Sequence, residues 1–380
     1  MVRVSKRLAT MQPDLVAFRR DLHRHPEVSG AEVRTARQVA ARLRALGLEV
    51  RTGVGGHGVV GVLRGGKPGP VVAYRADMDA VSTSDPDPVD FRSTTPGVRH
   101  ICGHDLHATI GLALATALRS VRAELPGTVV FIFQPAEEAA TGANAMLAAG
   151  VFDNPSPVAI YALHTAPLNL GQMGTIAGDL MSGRDFYTIA LSGTGDLAAG
   201  ARTVNERLAA LGTIPPSQSL VPGPRDVILV ELRPDTDSAG TRVLGGMIMA
   251  TSLSRPRVVA AMAELRALAI PNVTVRVEYR PKAIAGVYND AMLTQRAVAT
   301  VASVLGAPAA IELNQIVPAF SEDFGSFQDR VPGVFFFLGV SNPAKGTVGM
   351  PHTPDYVADE GAIQIGARSM AAVLLDRLRR

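Results

Sequence analysis

The hydrophobic pattern of the chain changes twice, and these changes constrain its fold more than any other feature of the sequence. The first part alternates apolar runs of strand length with amphipathic helical segments, as in a layered α/β domain. The middle part has the order strand, helix, two strands, helix and strand, after which the α/β pattern resumes. A chain of 380 residues is also longer than most single cores. We therefore predict an α/β protein with a discontinuous first domain, residues 1–180 and 290–380, and an inserted ferredoxin-like βαββαβ domain at residues 181–289.

Apolar periodicity and turn residues predict the individual elements. In the first domain we expect strands at 48–51, 59–63, 71–74, 129–133, 158–163 and 334–339, and helices at 33–46, 108–125, 142–149, 292–305 and 361–378. In the inserted domain we expect strands at 186–191, 227–232, 246–252 and 273–279, and helices at 198–211 and 256–268. Ser29 and Glu32 have the spacing of a capping box. Residues 53–58 formally fit a dinucleotide-binding GxGxxG, but a strand follows them, so a hairpin turn is the better interpretation.

Composition excludes several classes of function. The 37 Lys and Arg nearly balance the 34 Asp and Glu and are scattered without interleaved aromatics, which argues against a nucleic-acid partner. Apolar residues make up 47% of the chain, but no apolar run approaches the ~20 residues needed to span a bilayer, and residues 1–20 lack the features of a signal peptide. We therefore expect a cytoplasmic protein without a membrane partner. The only cysteine, Cys102, excludes an intrachain disulfide.

The densest group of reactive side chains surrounds that cysteine. Residues 99–107 hold three histidines, an aspartate and Cys102, directly before a predicted helix. Thiolate, imidazole and carboxylate groups together suit divalent metals such as zinc. Two alternatives remain open at this point: a buried thiol with hydrogen-bonded histidines at a helix start, or Cys102 as a catalytic nucleophile.

A second group ends an apolar strand, where the sequence Phe-Gln-Pro-Ala precedes Glu137 and Glu138. Adjacent carboxylates can divide the work, one binding a metal and the other acting as a base, although a solvated turn would show the same pattern. His164 ends another predicted strand, and His352 follows Met-Pro in the last part of the chain. A single histidine in either place is more often structural than a metal ligand. However, most of these residues fall at or beyond strand ends of one sheet, where ligand sites form.

Taken together, the motifs resemble a known family. They are the run from Arg19 to Glu27, the sequence Arg-Ala-Asp-Met-Asp-Ala at 75–80, Cys-Gly-His-Asp-x-His at 102–107, Phe-Gln-Pro-Ala-Glu-Glu at 133–138, Leu-His at 163–164, Ser-Glu-Asp-Phe at 321–324 and the late His352. In this order they resemble the M20 metallopeptidases, in the amidohydrolase branch typified by hippurate hydrolase and the auxin-conjugate hydrolases. The resemblance covers nearly the whole first domain.

The resemblance implies a catalytic domain with a zinc-peptidase-like mixed sheet and a lid domain that also mediates a homodimer. It implies that two divalent ions, zinc, manganese, cobalt or nickel, are held by Cys102, His104, Glu138, His164 and His352. Glu137 would be the general base. Asp77 and Asp79 match acidic positions that support the ligands. The remaining histidines of the motifs are expected to be structural or supporting, namely His23, His25, His100 and His107.

One departure from this branch lies in the inserted domain. Its first strand usually runs into Gly-Gly-His-Ala, whose histidine reaches the partner subunit's active site, but here the histidine position holds Leu197. An Asn-Val-Ile-Pro segment that contacts substrate also has no counterpart in residues 239–246. Losing one oxyanion donor costs about 10²–10³ in rate. Either another residue of this domain, such as Arg184, Arg233 or Arg242, replaces the histidine, or the substrate or reaction is unusual.

Three functions are therefore considered. The first is hydrolysis of an N-acyl amino acid or a related small amide or dipeptide, by a metal-bridged water that Glu137 deprotonates. The second keeps the metal site but forms amides or transfers acyl groups, which an altered lid that excludes bulk water would favour. The third is a non-catalytic binding homologue, against which the complete set of ligand positions argues.

Overall fold

The computed structural model describes residues 1–238 and 240–380, which divide into two compact units. The first unit comprises residues 1–177, 289–312 and 327–380, and the second comprises residues 178–288 and 313–326. We predicted residues 313–326 as part of the first domain, but in the structure they belong to the second unit. The reason is local pairing: Gly223 and Ile316 exchange two backbone hydrogen bonds, of 2.9 and 3.2 Å, within the second unit.

The helices are, in chain order, α1 (Val2–Arg24), α2 (Val33–Ala45), α3 (His104–Arg119), α4 (Gly142–Ala148), α5 (Leu197–Leu211), α6 (Arg255–Arg266), α7 (Ala291–Leu305), α8 (Gly325–Gln328) and α9 (Ala362–Leu378). The strands are β1 (Glu49–Val54), β2 (Gly58–Arg64), β3 (Lys67–Asp77), β4 (Val81–Ser82), β5 (Val98–Arg99), β6 (Pro126–Gln134), β7 (Ile160–Asn169), β8 (Met173–Thr175), β9 (Gly178–Met181), β10 (Gly183–Gly193), β11 (Ile228–Leu232), β12 (Thr236–Ser238), β13 (Thr241–Ala250), β14 (Val273–Ile284), β15 (Val287–Asn289), β16 (Ala310–Glu312) and β17 (Gly333–Ser341).

A large mixed sheet forms the centre of the first unit. In the described part of the chain its order is β1-β2-β6-β3-β7-β17-β8-β16. The neighbours β6, β3, β7 and β17 are parallel, so their carboxyl ends lie at one edge. These strands are nearly continuous apolar runs because both of their faces are buried. The α/β class predicted from the sequence is confirmed.

Helices α1, α3 and α9 pack against one another, and α3 and α9 also pack on β3. Every residue of α3 from His104 to Leu118 is buried, as expected of a helix that is apolar on nearly all sides. Helix α1 was not predicted, although its buried residues Leu8, Leu15 and Leu22 lie on one face of the helix. The charged residues between them and the internal Pro13 hide this periodicity.

The second unit has an antiparallel sheet in the order β11-β13-β10-β14, with the short β12 beside β13. With α5 and α6, this gives the predicted βαββαβ order plus one added strand. β14 alternates from Val273 to Arg280: Val275 and Val277 pack on the core while Arg276 and Glu278 face outward. Of the stretch 239–246, Ala239 lies outside the described residues, and most of the remainder belongs to β13.

Two local predictions have different outcomes. Residues 53–58 do join two antiparallel strands, β1 and β2, which confirms the hairpin. The capping box is wrong, since α2 has no side-chain cap from Ser29. In the ranges 1–238 and 240–380, no helix combines the length and apolar character needed to cross a membrane.

Candidate metal centre

The candidate ligands lie at the carboxyl edge of the parallel strands in the first unit. β3 ends at Asp77, which pairs with Gln134 at the end of β6. On its other side β3 pairs with β7, with Arg75 opposite Ala162, two residues before His164. This register brings the residues after β3, the residues after β6 and the middle of β7 to the same level of the sheet.

A glycine turn places Cys102 and His104 at that edge. Gly103 has a φ of 90° at the N-terminus of α3. A Cβ atom there would lie 2.2 Å from the Tyr356 hydroxyl oxygen and 2.6 Å from Thr165 Oγ1. Because only glycine fits both this φ and this space, the turn is fixed by sequence, and the residues on either side of it are fixed with it.

A second turn carries the two glutamates away from β6. Ala136 and Ala140 both have a φ of 52°, which is unusual for a residue with a Cβ. The N–H of Ala140 donates to the Glu137 carbonyl at 2.6 Å, and the N–H of Glu138 donates to Asp79 Oδ2 at 2.9 Å. Both glutamates therefore leave the strand pleat, with side chains only 10% and 17% exposed.

The structure brings all five predicted ligands and Glu137 together. Cys102 Sγ lies 3.2 Å from His164 Nε2, and His352 Nε2 lies 3.3 Å from Glu138 Oε1. His104 Nε2 lies 3.8 Å from both Glu138 Oε1 and Glu137 Oε2. The donor atoms form overlapping groups that lie within 4.8 Å: Cys102, His104 and His164; Cys102, Glu138 and His352; and His104, Glu137 and Glu138.

His104 provides a direct test of whether these residues fit a metal. Its Nδ1 lies 3.2 Å from Asp79 Oδ1, which orients the ring. Its Nε2 is buried and has no hydrogen-bond partner in residues 1–238 and 240–380. An unpaired buried nitrogen is costly unless something occupies it. A cation beside thiol, imidazole and carboxylate groups would do so, with Asp79 holding the histidine as metal-bound histidines are usually held.

His164 is oriented in the same way. Its Nδ1 donates to the Thr165 carbonyl at 2.7 Å, which leaves the Nε2 lone pair directed toward Cys102 Sγ. Burial, with the nearby His107, keeps the pKa of His164 well below its usual value. A neutral imidazole with a free Nε2 is the form that binds metals.

His352 reaches the site from a different segment. It has a φ of 59°, and its N–H donates to the Ile101 carbonyl at 2.9 Å, next to Cys102. Its side chain is 49% exposed, unlike that of His104. The site is therefore closed on the side of the sheet and open on the side of His352.

The pKa values separate the roles of Cys102 and His104. Burial, reinforced by the carboxylate of Glu138, raises the pKa of the Cys102 thiol well above its usual value. A nucleophile and a metal ligand both require the thiolate, so a bound cation would have to displace the proton of this thiol. Burial alone would lower the pKa of His104, but Asp77 and Asp79 raise it to about 10. Without a metal, this imidazole holds a proton that a cation would displace.

Two of the histidines predicted as supporting residues, His107 and His23, use both of their ring nitrogens in hydrogen bonds. His107 donates from Nδ1 to Asp77 Oδ1 at 2.6 Å and accepts from the Thr165 N–H at 2.8 Å, so neither of its ring nitrogens is available. His23 bonds to Asp105 and Asp87, away from the ligand groups.

The other two histidines predicted as supporting residues, His25 and His100, lie in none of the ligand groups of the described residues. His25 is 43% exposed beside Asp21. His100 is buried, and burial lowers its pKa to about 4.

Sequence reasoning missed Thr165. Besides its contacts to His107 and His164, its hydroxyl donates to the Cys102 carbonyl at 2.8 Å. One threonine thus holds three residues of the site. Its position directly after His164 was the only signal, and it is too weak to be specific.

Comparison with known protein families matches residues 73–376 to peptidase family M20/M25/M40. The chain is 33% identical over 376 residues to the IAA-amino acid hydrolase ILR1-like 4 of Arabidopsis thaliana. The match covers 94% of this chain and 84% of that one. It is 30% identical over 397 residues to the N-acetylcysteine deacetylase of Bacillus subtilis, covering 96% and 98%.

Solved structures share the fold over nearly the full length. The YXEP protein of Bacillus subtilis, described as a dinuclear metal binding peptidase from the M20 family, superposes with a TM-score of 0.83 at 27% identity and covers 98% of this chain and 99% of that one. A putative aminohydrolase from methicillin-resistant Staphylococcus aureus gives 0.86 at 26% identity, covering 99% of both.

Proposed function

Because the chain belongs to peptidase family M20/M25/M40, we propose that it hydrolyses the amide bond of an N-acyl amino acid or a related small amide at the candidate metal centre. The chain is a metal-dependent hydrolase of C–N bonds, in agreement with the resemblance seen in its sequence. The non-catalytic hypothesis is left without support. The observation that carries the proposal is that one thiol, three imidazoles and a carboxylate from four segments meet beside Glu137.

The proposed ligands divide into two groups that share Cys102. One group adds His104 and His164, and the other adds Glu138 and His352. Each group would hold one divalent ion, and the mixture of sulfur, nitrogen and oxygen suits zinc, manganese, cobalt or nickel. When bound, two such ions act as Lewis acids on the scissile carbonyl and lower the pKa of the attacking water.

Glu137 is proposed as the general base. Its Oε2 lies 3.8 Å from His104 Nε2, and its side chain is mostly buried. A carboxylate there would take a proton from the attacking water and deliver it to the leaving nitrogen. Glu138, one residue on, lies equally close to His104 Nε2, but its Oε1 is also 3.3 Å from His352 Nε2, and this additional contact supports its role as a ligand.

The substrate class is supported by the names of two relatives. One is named for hydrolysing an IAA–amino acid and the other for deacetylating N-acetylcysteine. Both names describe an acyl group on an amino acid. The acyl and amine parts preferred here would be set by residues outside the ligand set.

We also propose a cytoplasmic homodimer formed through the second unit, with no nucleic-acid or membrane partner. The support is β14, a twelve-residue strand at an edge of its sheet within the described residues. Such an edge offers unpaired backbone groups to a second strand. Light scattering should then give twice the mass of one chain, and a monomer at all concentrations would contradict this.

The function is tested by screening N-acyl amino acids and dipeptides by mass spectrometry against metal-loaded enzyme. Glu137→Gln is the matched blank, because it keeps size and polarity but cannot act as a base. We expect free acid and amine from the native enzyme, about 10²–10⁴-fold slower release from the variant, and unchanged metal content in both. Near-native rates in Glu137→Gln would refute its role. Products that form only from an acyl donor plus an amine would favour acyl transfer instead.

A further inference from the structure

Residues 29–32 do not cap α2 as their sequence pattern predicts. The carboxylate of Glu27 occupies that position instead, accepting the N–H groups of Arg34 at 2.9 Å and Thr35 at 2.8 Å. These are two of the four N–H groups that a helix start leaves unpaired. The Glu32 carbonyl accepts the Ala36 N–H at 2.9 Å, but its side chain makes no hydrogen bond to the helix start and serves another part of the molecule.

The Glu32 side chain points into the protein and is completely buried. Its Oε1 accepts two backbone hydrogen bonds, from the N–H of Gly30 and the N–H of Ala136, both at 2.8 Å. The first bond is local, but the second joins residues 104 positions apart. Burying a carboxylate is unfavourable, and a site that retains one usually depends on its hydrogen bonds.

Ala136 is the residue directly before the two glutamates of the candidate metal centre. Its φ of 52° is one that a residue with a Cβ holds only when surrounding contacts impose it. Two residues later, the N–H of Glu138 donates to Asp79 Oδ2 at 2.9 Å. Two buried carboxylates, Glu32 and Asp79, therefore hold the backbone on either side of Glu137.

The segment 29–32 is connected to both of these contacts. The Ser29 hydroxyl donates to Asp79 Oδ2 at 2.6 Å, the same oxygen that accepts the Glu138 N–H. Ser29 and Glu32, three residues apart, thus support the two ends of one turn. The spacing that looks like a capping box matches this second use.

We propose that Glu32 is a positioning residue whose bond to the Ala136 N–H fixes the turn that aims Glu137 and Glu138. The inference deepens the proposed function and rests on it for its kinetic effects. Its effect on metal binding can be measured whether or not the substrate is known.

The test compares Glu32→Ala with Glu27→Ala. Each variant removes a carboxylate that accepts two backbone N–H groups, but only Glu32 contacts the turn before Glu137. We expect both to lower thermal stability. Only Glu32→Ala should lower kcat, by about 10²-fold with KM little changed, because a displaced catalytic group acts on the chemical step.

Metal affinity is measured separately by competition with a chromogenic chelator for zinc. Glu32→Ala should weaken zinc binding about 10–100-fold, because Glu138 is displaced, as when a group supporting a ligand is lost. Glu27→Ala should keep a zinc affinity within about threefold of the native protein, because the Glu27 carboxylate accepts N–H groups at the start of α2 and not in the turn before Glu137.

Glu32→Gln distinguishes positioning from general destabilisation. It keeps an oxygen that accepts the Ala136 N–H, so kcat and zinc affinity should return to within about tenfold of the native values. A decrease of about tenfold corresponds to the weakening of one hydrogen bond. Equal effects of Glu32→Ala and Glu27→Ala on both kcat and zinc affinity would overturn the proposal. So would a Glu32→Gln variant no better than Glu32→Ala. If no amide is cleaved but zinc affinity follows the expected order, the proposed function fails and this inference stands.

Discussion

All eight histidines and the single cysteine of the chain lie in the first unit, and the second unit has none of either. The two units therefore differ in the chemistry they can provide. The first contains every nitrogen and sulfur donor that a metal centre of this type requires. The second offers carboxylates, amides, hydroxyls, guanidinium and amino groups but no imidazole and no thiol.

The position of Leu197 shows how the second unit uses the segment where the resemblance in the sequence led us to expect a histidine. Asp196 caps α5 by accepting the Ala199 N–H at 2.9 Å, and Leu197 packs against the core of its own unit. The segment thus stabilises its own domain.

The arginines considered as replacements are not equivalent. Arg242 is paired with Asp235, and Arg184 donates to the Ala319 carbonyl at 3.3 Å. Arg233 is exposed, and its side chain makes no hydrogen bond or ion pair in the described residues of the chain. It is the guanidinium most available for a new role.

The largest difference between the units should appear when matched buried aspartates are changed. Asp79 orients His104 and holds the Glu138 N–H, so Asp79→Asn should weaken metal binding about 10–100-fold. Asp185 in the second unit is equally buried and bonds to the Tyr279 hydroxyl at 2.5 Å and the Lys282 N–H at 2.7 Å. Asp185→Asn should lower stability without changing metal affinity, as measured by chelator competition. Equal losses of affinity would remove the distinction between the units.

A smaller effect is expected when a change of pH alters the stability that the hydrogen bonds of His23 contribute. Burial alone would lower the pKa of His23, but hydrogen bonds to Asp105 and Asp87 raise it above its usual value. A raised folded pKa means that the bonds stabilise the protein fully below about pH 6.5 and that this is lost as pH rises through the folded pKa. The loss should be about 1 kcal/mol, the usual net contribution of one hydrogen bond.

Denaturation of the metal-loaded protein between pH 6 and pH 9 would measure this loss, with His23→Gln as the control that lacks it. Because the second unit contains no histidine, its own unfolding should not change over this interval. If native protein and His23→Gln lose stability in parallel, His23 is not the group responsible.

Much of the candidate site could be predicted from the sequence because its donors are unusual residues in two short clusters. Cys102 with His104, and Glu137 with Glu138, stand out by type alone. The α/β class was also predictable, since the parallel strands are buried on both faces and appear as continuous apolar runs.

The supporting contacts could not be predicted, because they depend on backbone conformation and strand register. Nothing in the sequence indicates that Ala136 takes a positive φ or that Glu32 reaches it across 104 positions. The pattern of Ser29 and Glu32 even suggested a different role, because local spacing cannot show that Glu27 already serves the helix start. Likewise, residues 313–326 carry no periodicity that assigns them to the second unit.

The smallest effect is expected from restoring the histidine itself. If the second unit has lost the surroundings that direct such a side chain to a substrate, Leu197→His should change kcat/KM for the best amide by less than about threefold, against the 10²–10³ that an oxyanion donor supplies. Leu197→Gln serves as the control, because both variants place a polar group where Leu197 packs on the core and should lower stability similarly. A rate increase of about 10²-fold in the histidine variant alone would mean that the surroundings are intact. The second unit would then lack one side chain for this role and not the whole arrangement around it.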